Sequence, residues 1–259
     1  MEPYRPRPNP GGLPYIIAHR GISSKAPENT LSSFSRAMST PGVNMIELDV
    51  RISQDDEIIV LHDRTLQRTS TGNGSARSYT LKELKEFDAG SWFHPSYAAE
   101  RIPTLAEVLR LVKGRTWVNI ELKRDFFARD HDAFVRRVIE TVRAEGVEDQ
   151  VLYSSFTHDL LALVRRNDPH AITGVIYNIY RDFGRSPSKL AGRVHASVFV
   201  CAKHELRKSM IRDARLHGLA LYVYTLNSIQ DARKMIQLGV DGIISDNADG
   251  IVAALDGPL

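Results

Sequence analysis

Residues 220–245 read ALYVYTLNSIQDARKMIQLGVDGIIS, and this stretch contains the unit from which the fold is built. Its two short apolar runs, Ala220–Tyr224 and Gly242–Ser245, predict strands. Between them, Ile229–Leu238 has helical periodicity, and Gly239 follows where a left-handed residue ends a helix. A strand, a helix and a second strand in this order are typical of a parallel sheet covered by helices.

The same alternation of strand and helix extends along the chain. Six further strands are predicted at Tyr15–His19, Asn44–Val50, Thr116–Leu122, Gln150–Ser154, Ile172–Ile176 and Ser197–Val200. Further helices are predicted at Thr30–Ser39, Leu105–Val112, Asp132–Glu145, His158–Arg166 and Glu205–His217. Eight strands in βα units predict an α/β protein with a (β/α)8 barrel.

One segment interrupts this rhythm after the second barrel strand. Glu57–Leu61 predicts a short extra strand, and the sequence between residues 70 and 75 predicts a loop with no room for a barrel helix. We interpret residues 64–103 as a small inserted subdomain. Because loops at the carboxyl ends of barrel strands form the active site in this architecture, the insertion is expected beside the chemistry.

Length and composition favour a single domain over residues 15–259. The chain has 259 residues, of which 42% are hydrophobic, enough for one sizeable core. Residues 1–14 contain five prolines and no long apolar run, so we interpret them as a partly disordered lead-in, neither a signal peptide nor a membrane span.

Charge and cysteine content limit the partners and the compartment. The formal net charge is +3, and basic and acidic residues are interspersed, which argues against a nucleic-acid partner. Cys201 is the single cysteine, so an internal disulfide is excluded and a reducing, cytoplasmic location is expected. We expect Cys201 to be a small core residue. The oligomeric state leaves no clear mark in the sequence.

Charged side chains follow apolar runs at two predicted strand ends. Glu47 and Asp49 project from the same face of one strand, and Glu121 projects from another. Three converging carboxylates suit a hard divalent cation, Mg²⁺ or Ca²⁺, better than zinc. The alternative is structural ion pairing of Glu47 with Lys123, and of Asp49 with Arg20 or Arg51. We favour the cation because three carboxylates held together without one would repel strongly.

Two histidines flank this carboxylate group in the sequence. His19 and His62 each follow an apolar run, and a pair of imidazoles can supply a base and an acid in one turnover. Either one alone would be read as a hydrogen-bonded structural group. Arg20 adds a bidentate phosphate donor, and Lys123 adds a point charge. Together these groups favour chemistry on a phosphate ester.

The motifs that carry these residues closely resemble those of the glycerophosphodiester phosphodiesterase family. The likeness covers about residues 15 to 250, and the ordered series of blocks is more specific than any single motif. The blocks are His19-Arg20-Gly21, Ala26-Pro27-Glu28-Asn29-Thr30-Leu31, Glu47-Leu48-Asp49-Val50, His62-Asp63, Asp88-Ala89-Gly90-Ser91-Trp92-Phe93, Ile120-Glu121-Leu122-Lys123, Tyr224-Thr225-Leu226-Asn227 and the run from Gly239 to Asp246.

This resemblance implies a TIM barrel that hydrolyses a small-molecule glycerophosphodiester to an alcohol and sn-glycerol 3-phosphate. It implies His19 and His62 as the catalytic acid and base, and Arg20 and Lys123 as phosphate ligands. It also implies Glu47, Asp49 and Glu121 as ligands of the divalent cation.

Other positions in these motifs have open roles. Glu28 is expected either to orient His19 or Arg20 or to lie at the start of the next helix. Asn29 and Thr30 are expected to cap that helix. Tyr224 stands where the family often has a tryptophan against the glycerol site. Further candidate rim aromatics, each equally plausible as a core residue, are Trp92, Phe93 and Phe156.

The sequence leaves two rival functions open. One is a lysophospholipase D-like phosphodiesterase, which would need an apolar groove facing a membrane. The other is a barrel that binds a phosphorylated ligand without turning it over, and the chemically competent residues at every motif position argue against it.

Overall fold

A computed structural model describes residues 1–8, 12–124 and 130–255. The strands are β1 (Tyr15–His19), β2 (Met45–Ile52), β3 (Ile58–Val60), β4 (Trp117–Leu122), β5 (Val151–Ser155), β6 (Ile172–Ile176), β7 (Val198–Ala202), β8 (Ala220–Tyr224) and β9 (Gly242–Ser245). The helices are α1 (Leu31–Met38), α2 (Leu81–Leu84), α3 (Leu105–Val112), α4 (His131–Glu145), α5 (His158–Asn167), α6 (Ile179–Asp182), α7 (Pro187–Gly192), α8 (Lys208–Leu216), α9 (Ile229–Gln237) and α10 (Ala248–Leu255).

Eight parallel strands close into a barrel. Their order is β1, β9, β8, β7, β6, β5, β4, β2, and parallel pairing of β1 with β2 closes the ring. The additional strand β3 pairs antiparallel with β2 outside this ring. The predicted (β/α)8 barrel is therefore confirmed, with helices between its strands.

Alternation along each strand separates an outer core from the barrel interior. On β2, Ile46 and Leu48 point outward into the layer between strands and helices, whereas Met45 belongs to the inner cluster. Glu47 and Asp49 continue the inner face toward the carboxyl end of the strand. The same alternation therefore buries apolar residues in the lower barrel and places charged ones at its mouth.

The segment between β3 and α3 departs from the regular repeat, as expected from its sequence. It contains α2 and two short 3₁₀ turns, at Ala76–Ser78 and Pro95–Tyr97. Its apolar side chains form a separate buried cluster that includes Leu66, Leu84 and Ile102. Whether it is an independent subdomain, with bounds at residues 64 and 103, stays a prediction.

The amino-terminal residues close the floor of the barrel. Tyr4 is buried, and its ring packs on Tyr15 and Trp117 at centroid distances of 6.3 and 5.8 Å. Its hydroxyl is hydrogen-bonded to that of Tyr222. The buried Tyr4 side chain therefore anchors residues 1–8 to the barrel, and the interpretation of residues 1–14 as a partly disordered lead-in stays a prediction.

The single cysteine lies in the scaffold, away from the barrel mouth. Cys201 is buried in the outer core, and burial raises the pKa of its thiol to about 12, which suits the predicted packing role. Within the described ranges, no helix combines the length and the apolar character needed to cross a bilayer.

Candidate active site

The turn after β1 places the first two functional side chains at the barrel mouth. Arg20 and Gly21 both have positive φ angles, 58° and 82°. A Cβ atom on Gly21 would lie 2.5 Å from the backbone carbon of Ser33, so only glycine fits this turn without displacement. His19, the last residue of β1, and Arg20 then both line the cavity at the mouth.

Three carboxylates converge at the carboxyl ends of β2 and β4. Parallel pairing sets Asp49 beside Glu121, and Glu47 lies one inward position below Asp49. One oxygen atom from each of Glu47, Asp49 and Glu121 lies within 4.8 Å of the others, and all three residues are buried. The structure thus brings the predicted ligand set together.

The three carboxylates of this cluster have pKa values that are shifted in different directions. Burial and the neighbouring charge of Asp49 raise the pKa of Glu47 to about 8, with His19 opposing the shift. Burial likewise raises the pKa of Glu121, although Lys123 counteracts it. For Asp49, burial is outweighed by Lys123 and Arg20, which hold its pKa far below the usual range.

The carboxylates of this candidate cation site also take part in ion pairs. Asp49 Oδ1 lies 2.9 Å from Lys123 Nζ, and its Oδ2 lies 3.3 Å from Arg20 Nε. Lys123 also pairs with Glu121. The alternative pairing is therefore found for Asp49 with Arg20. Glu47 instead accepts the Arg20 backbone N–H at 3.0 Å.

The donor set fits a hard divalent cation. The two cationic neighbours of the three carboxylates, Arg20 and Lys123, already pair with Glu28, Asp49 and Glu121. Burial and the charge of Asp49 raise the pKa of Glu47 to about 8, so this carboxyl keeps a proton at neutral pH that a bound cation would displace. Oxygen-only ligation suits Mg²⁺ and Ca²⁺.

Each histidine is held through Nδ1 by an aspartate. His19 Nδ1 lies 2.6 Å from Asp246 Oδ1, and His62 Nδ1 lies 2.6 Å from Asp63 Oδ1. Each pairing leaves Nε2 as the nitrogen available for proton transfer. His19 Nε2 lies 3.9 Å from the nearer Glu47 oxygen.

The two imidazoles have pKa values shifted in opposite directions. Burial lowers the pKa of His19, but its bond to Asp246 and the charge of Glu47 outweigh burial and raise it. Burial lowers the pKa of His62, and the charges of Lys123 and Arg20 add to this effect against Asp49. Groups with separated pKa values are the usual basis of paired acid and base roles.

Glu28 contacts Arg20, the partner in one of its two expected roles, and that role stays a prediction. Its Oε1 accepts a hydrogen bond of 2.8 Å from Arg20 Nη1. Thr30 caps α1 as predicted. The expectation for Asn29 is wrong, because its side-chain N–H donates to Asp49 Oδ2 at 2.9 Å instead of capping the helix.

The resulting cavity measures about 170 Å³ and has two chemically different walls. The polar wall is formed by His19, Arg20, Glu47, His62, Asn119, Glu121 and Lys123. The other wall is apolar and aromatic, formed by Phe156, Ile176, Val200, Tyr224 and Ile244. Phe156 and Tyr224 meet edge to face with centroids 6.2 Å apart, so both are rim aromatics. Trp92 and Phe93 instead pack on each other, at 5.7 Å.

Comparison with protein families gives a match to the model of the glycerophosphoryl diester phosphodiesterase family over residues 19–250. The chain belongs to this family. The predicted family resemblance, and with it the prediction of an enzyme, is confirmed.

Relatives with assigned names agree with this membership. The chain is 34% identical over 238 residues to a glycerophosphodiester phosphodiesterase of Caldanaerobacter subterraneus, covering 92% of this chain and 96% of that protein. A protein of the same name from Bacillus altitudinis is also 34% identical, over 241 residues, with the same coverage.

Solved structures of the family share the fold. An Oleispira antarctica phosphodiesterase, solved in complex with the product sn-glycerol-3-phosphate, has a TM-score of 0.86 and 28% identity, covering 95% of this chain and 98% of that one. The glycerophosphodiester phosphodiesterase of Agrobacterium tumefaciens has a TM-score of 0.81 and 30% identity, covering 93% and 100%.

Sequence reasoning did not assign roles to several residues that position the site. Asp246 holds His19 across 227 residues of chain, and Asn227 donates to Asp246 at 2.7 Å. Both lie in motif blocks after strands, which was the available signal. Asp63 directly follows His62 in the sequence, and this adjacency could have indicated the pairing of His62 with Asp63.

Proposed function

We propose that this chain hydrolyses glycerophosphodiesters to an alcohol and sn-glycerol 3-phosphate, using a divalent cation and two histidines. The observation that carries the proposal is the convergence of three carboxylates, two cationic side chains and two aspartate-held histidines at the barrel mouth. Membership of the family supports it, as does the product bound to the Oleispira relative.

Glu47, Asp49 and Glu121 would hold the cation, with Mg²⁺ and Ca²⁺ both suited to these ligands. When bound, the cation supplies positive charge that neutralises phosphate oxygens and makes a neighbouring hydroxyl or water more acidic. Arg20 and Lys123 both line the cavity and both pair with Asp49, and they would hold the remaining phosphate oxygens.

Proton transfer falls to the two imidazoles. The attacking oxygen is either the 2-hydroxyl of the glycerol, giving a cyclic phosphate that water later opens, or water itself. One histidine Nε2 takes the proton from this oxygen as its bond to phosphorus forms, and the other protonates the alkoxide as its bond to phosphorus breaks. Asp246 and Asp63 hold the two rings in the tautomer that this exchange requires.

The test is release of glycerol 3-phosphate from glycerophosphocholine and glycerophosphoethanolamine by cation-stripped protein, before and after addition of Mg²⁺ or Ca²⁺. We expect turnover that depends on the cation. His19→Ala and His62→Ala should each lower kcat by about 10²–10⁴-fold. His217→Ala is the matched control, because that imidazole directly follows α8, bonds to the Asp213 carbonyl and does not line the cavity.

The outcomes separate the candidate functions. Absence of turnover by folded wild-type protein with either ion would contradict the proposal. Turnover of lysophosphatidylcholine alone would instead support the lysophospholipase D-like activity. Binding of glycerol 3-phosphate without any turnover would indicate a binding barrel.

A further inference from the structure

Arg68 lies between two carboxylates that serve different parts of the site. Its Nε donates to Asp63 Oδ2 at 2.6 Å, and its Nη2 donates to Asp63 Oδ1 at 3.2 Å. Its Nη1 and Nη2 also donate to the two oxygens of Glu28, at 2.7 and 2.8 Å. One guanidinium thus makes a two-point contact with each carboxylate, a geometry that lysine cannot reproduce.

Each of these carboxylates contacts a residue that faces the substrate. Asp63 Oδ1 bonds to His62 Nδ1 at 2.6 Å, and Glu28 Oε1 bonds to Arg20 Nη1 at 2.8 Å. A continuous chain of contacts therefore runs from the His62 imidazole through Asp63, Arg68 and Glu28 to Arg20. Arg68 is its midpoint and the only member contributed by the loop after His62-Asp63.

A purely stabilising role explains this arrangement less well. The Arg68 side chain is 44% exposed, and ion pairs at exposed sites contribute little to folding stability. By contrast, fixing the direction of catalytic groups has a large effect on rate, because small displacements disturb the reacting geometry. The His62 carbonyl also accepts two N–H groups of Arg51, so the backbone is held and the ring orientation is left to Asp63.

We propose that Arg68 is a positioning residue for the hydrolysis proposed above, on which this inference rests: it bridges Asp63 and Glu28 and so directs His62 and Arg20 toward one phosphodiester. Without it, Asp63 is free to turn toward water and no longer fixes the Nδ1–H tautomer of His62. Glu28 then also pairs with Arg20 alone, which draws that guanidinium away from the phosphate.

The kinetic test compares Arg68→Ala and Arg68→Lys with wild type on glycerophosphocholine. Loss of groups that orient reactive side chains typically lowers activity by about 10–100-fold, and we expect that loss in kcat for Arg68→Ala. Arg68→Lys should recover only part of it. Arg77→Ala is the matched control. Arg77 lies in the same segment after β3 as Arg68 and pairs with Asp56, but it does not line the catalytic cavity.

A double-mutant cycle checks the route of the effect. If Arg68 acts through Asp63, adding Arg68→Ala to Asp63→Asn should cost much less than in the wild-type background. Full additivity of the two losses would overturn the proposed coupling. So would an Arg68→Ala variant whose melting temperature falls while its kcat is unchanged, since that pattern indicates a structural role.

A readout without turnover keeps this inference separate from the proposed function. In ¹⁵N NMR spectra, neutral His62 should be in the Nδ1–H tautomer in wild type and should lose that preference in Arg68→Ala. Inactive wild-type protein would contradict the proposed function, and the tautomer would still report on Arg68. An unchanged tautomer in Arg68→Ala would overturn the inference.

Discussion

Glu47 is the residue whose protonation state the proposed cation should change most. Burial and the charge of Asp49 raise its pKa from 4.5 to about 8, despite the opposing charge of His19. At neutral pH the folded, cation-free protein therefore retains a proton that the unfolded chain has released. Between these two pKa values, raising the pH removes this contribution to stability, and a cation that displaces the proton binds more tightly.

We therefore predict proton release on cation binding at pH 7 and an affinity that rises up to about pH 8. Calorimetric titration with Mg²⁺ or Ca²⁺ in buffers of different ionisation enthalpy measures the released proton directly. Glu47→Gln should abolish the release and weaken binding. Binding by the wild type that is independent of pH from 6 to 8 would count against Glu47 as a ligand.

Gly21 is the residue whose replacement should damage the site through the backbone alone. In Gly21→Ala, the alanine backbone would have to adopt a φ of 82°, and its Cβ would lie 2.4 Å from Ser33 Oγ. We expect a loss of about 2–5 kcal/mol of unfolding free energy, from left-handed strain and overpacking together, and a fall in activity through His19 and Arg20.

Urea denaturation measures this loss, with Gly114→Ala as the control. Gly114 also has a positive φ, 69°, but nothing lies within 4 Å of its added Cβ. That variant should therefore lose only the strain, about 1–2 kcal/mol. Equal losses in the two variants would show that the contact with Ser33 costs nothing.

At this scale, the site residues on the strands were predictable, and most of the residues that support them, Glu28 excepted, were not. His19, Glu47, Asp49 and Glu121 stand on strands or at strand ends, where the alternation of side chains decides the direction. Arg68 and Asp246 lie in loops, and their partners depend on how distant segments pack. No periodicity encodes that packing, so contacts such as that of Arg68 with Glu28, 40 residues away, required the structure.

At the scale of single elements, α3 shows how local sequence fixes a helix beside the site. Thr104 accepts the Glu107 N–H at 3.1 Å, and Glu107 accepts the Thr104 N–H at 2.7 Å. We predict that Thr104→Ala costs about 1 kcal/mol of unfolding free energy, because an N–H of the first turn loses its partner. Thermal denaturation should show a fall of roughly 2–4 °C for a chain of this size.

Thr157→Ala provides the control for this prediction. Thr157 also precedes a helix, α5, but its side chain makes no capping hydrogen bond. Its replacement should change the melting temperature much less. If the two variants fell equally, the capping box of α3 would not be the source of the loss.

The elements that sequence reasoning found are those with strong periodicity, and most of the helices that it missed are short. The bounds of α3 were predicted to the residue, and α4 and α9 to within one residue at each end. In contrast, α6 and α7 were not predicted, because helices of four and six residues are too short for a 3.6-residue period to emerge. The C-terminal α10 was also missed, although its apolar residues Ile251 and Val252 pack against the barrel.

At the scale of the whole molecule, the barrel places the candidate active site and its aromatic floor at opposite ends. Reactive groups collect at the carboxyl ends of strands that are far apart in sequence, such as β1 and β9, which are neighbours in the sheet. The amino ends form a separate aromatic layer of Tyr4, Tyr15, Trp117 and Tyr222. This separation of stability from chemistry is typical of the architecture, and it permits a test at each end.

Tyr4 provides the test at the floor. Its buried ring packs on the contacting rings of Tyr15 and Trp117, and the Trp117 indole N–H donates to the Glu2 carbonyl at 3.0 Å, so residues 1–8 are held against the floor as a plug. We predict that Tyr4→Ala costs about 3 kcal/mol, near the low end for a buried aromatic because a terminal segment can detach, while kcat at the opposite end stays unchanged. Tyr4→Phe should cost only about 1 kcal/mol, since the ring still fills the floor and Tyr222 keeps its hydrogen bond to the Pro6 carbonyl. Urea denaturation measures the change in stability, and turnover of glycerophosphocholine measures the change in kcat. A Tyr4→Ala variant with wild-type stability would mean that the plug is not needed to close the barrel. A Tyr4→Ala variant whose kcat falls in proportion to its stability would mean that floor and mouth are coupled.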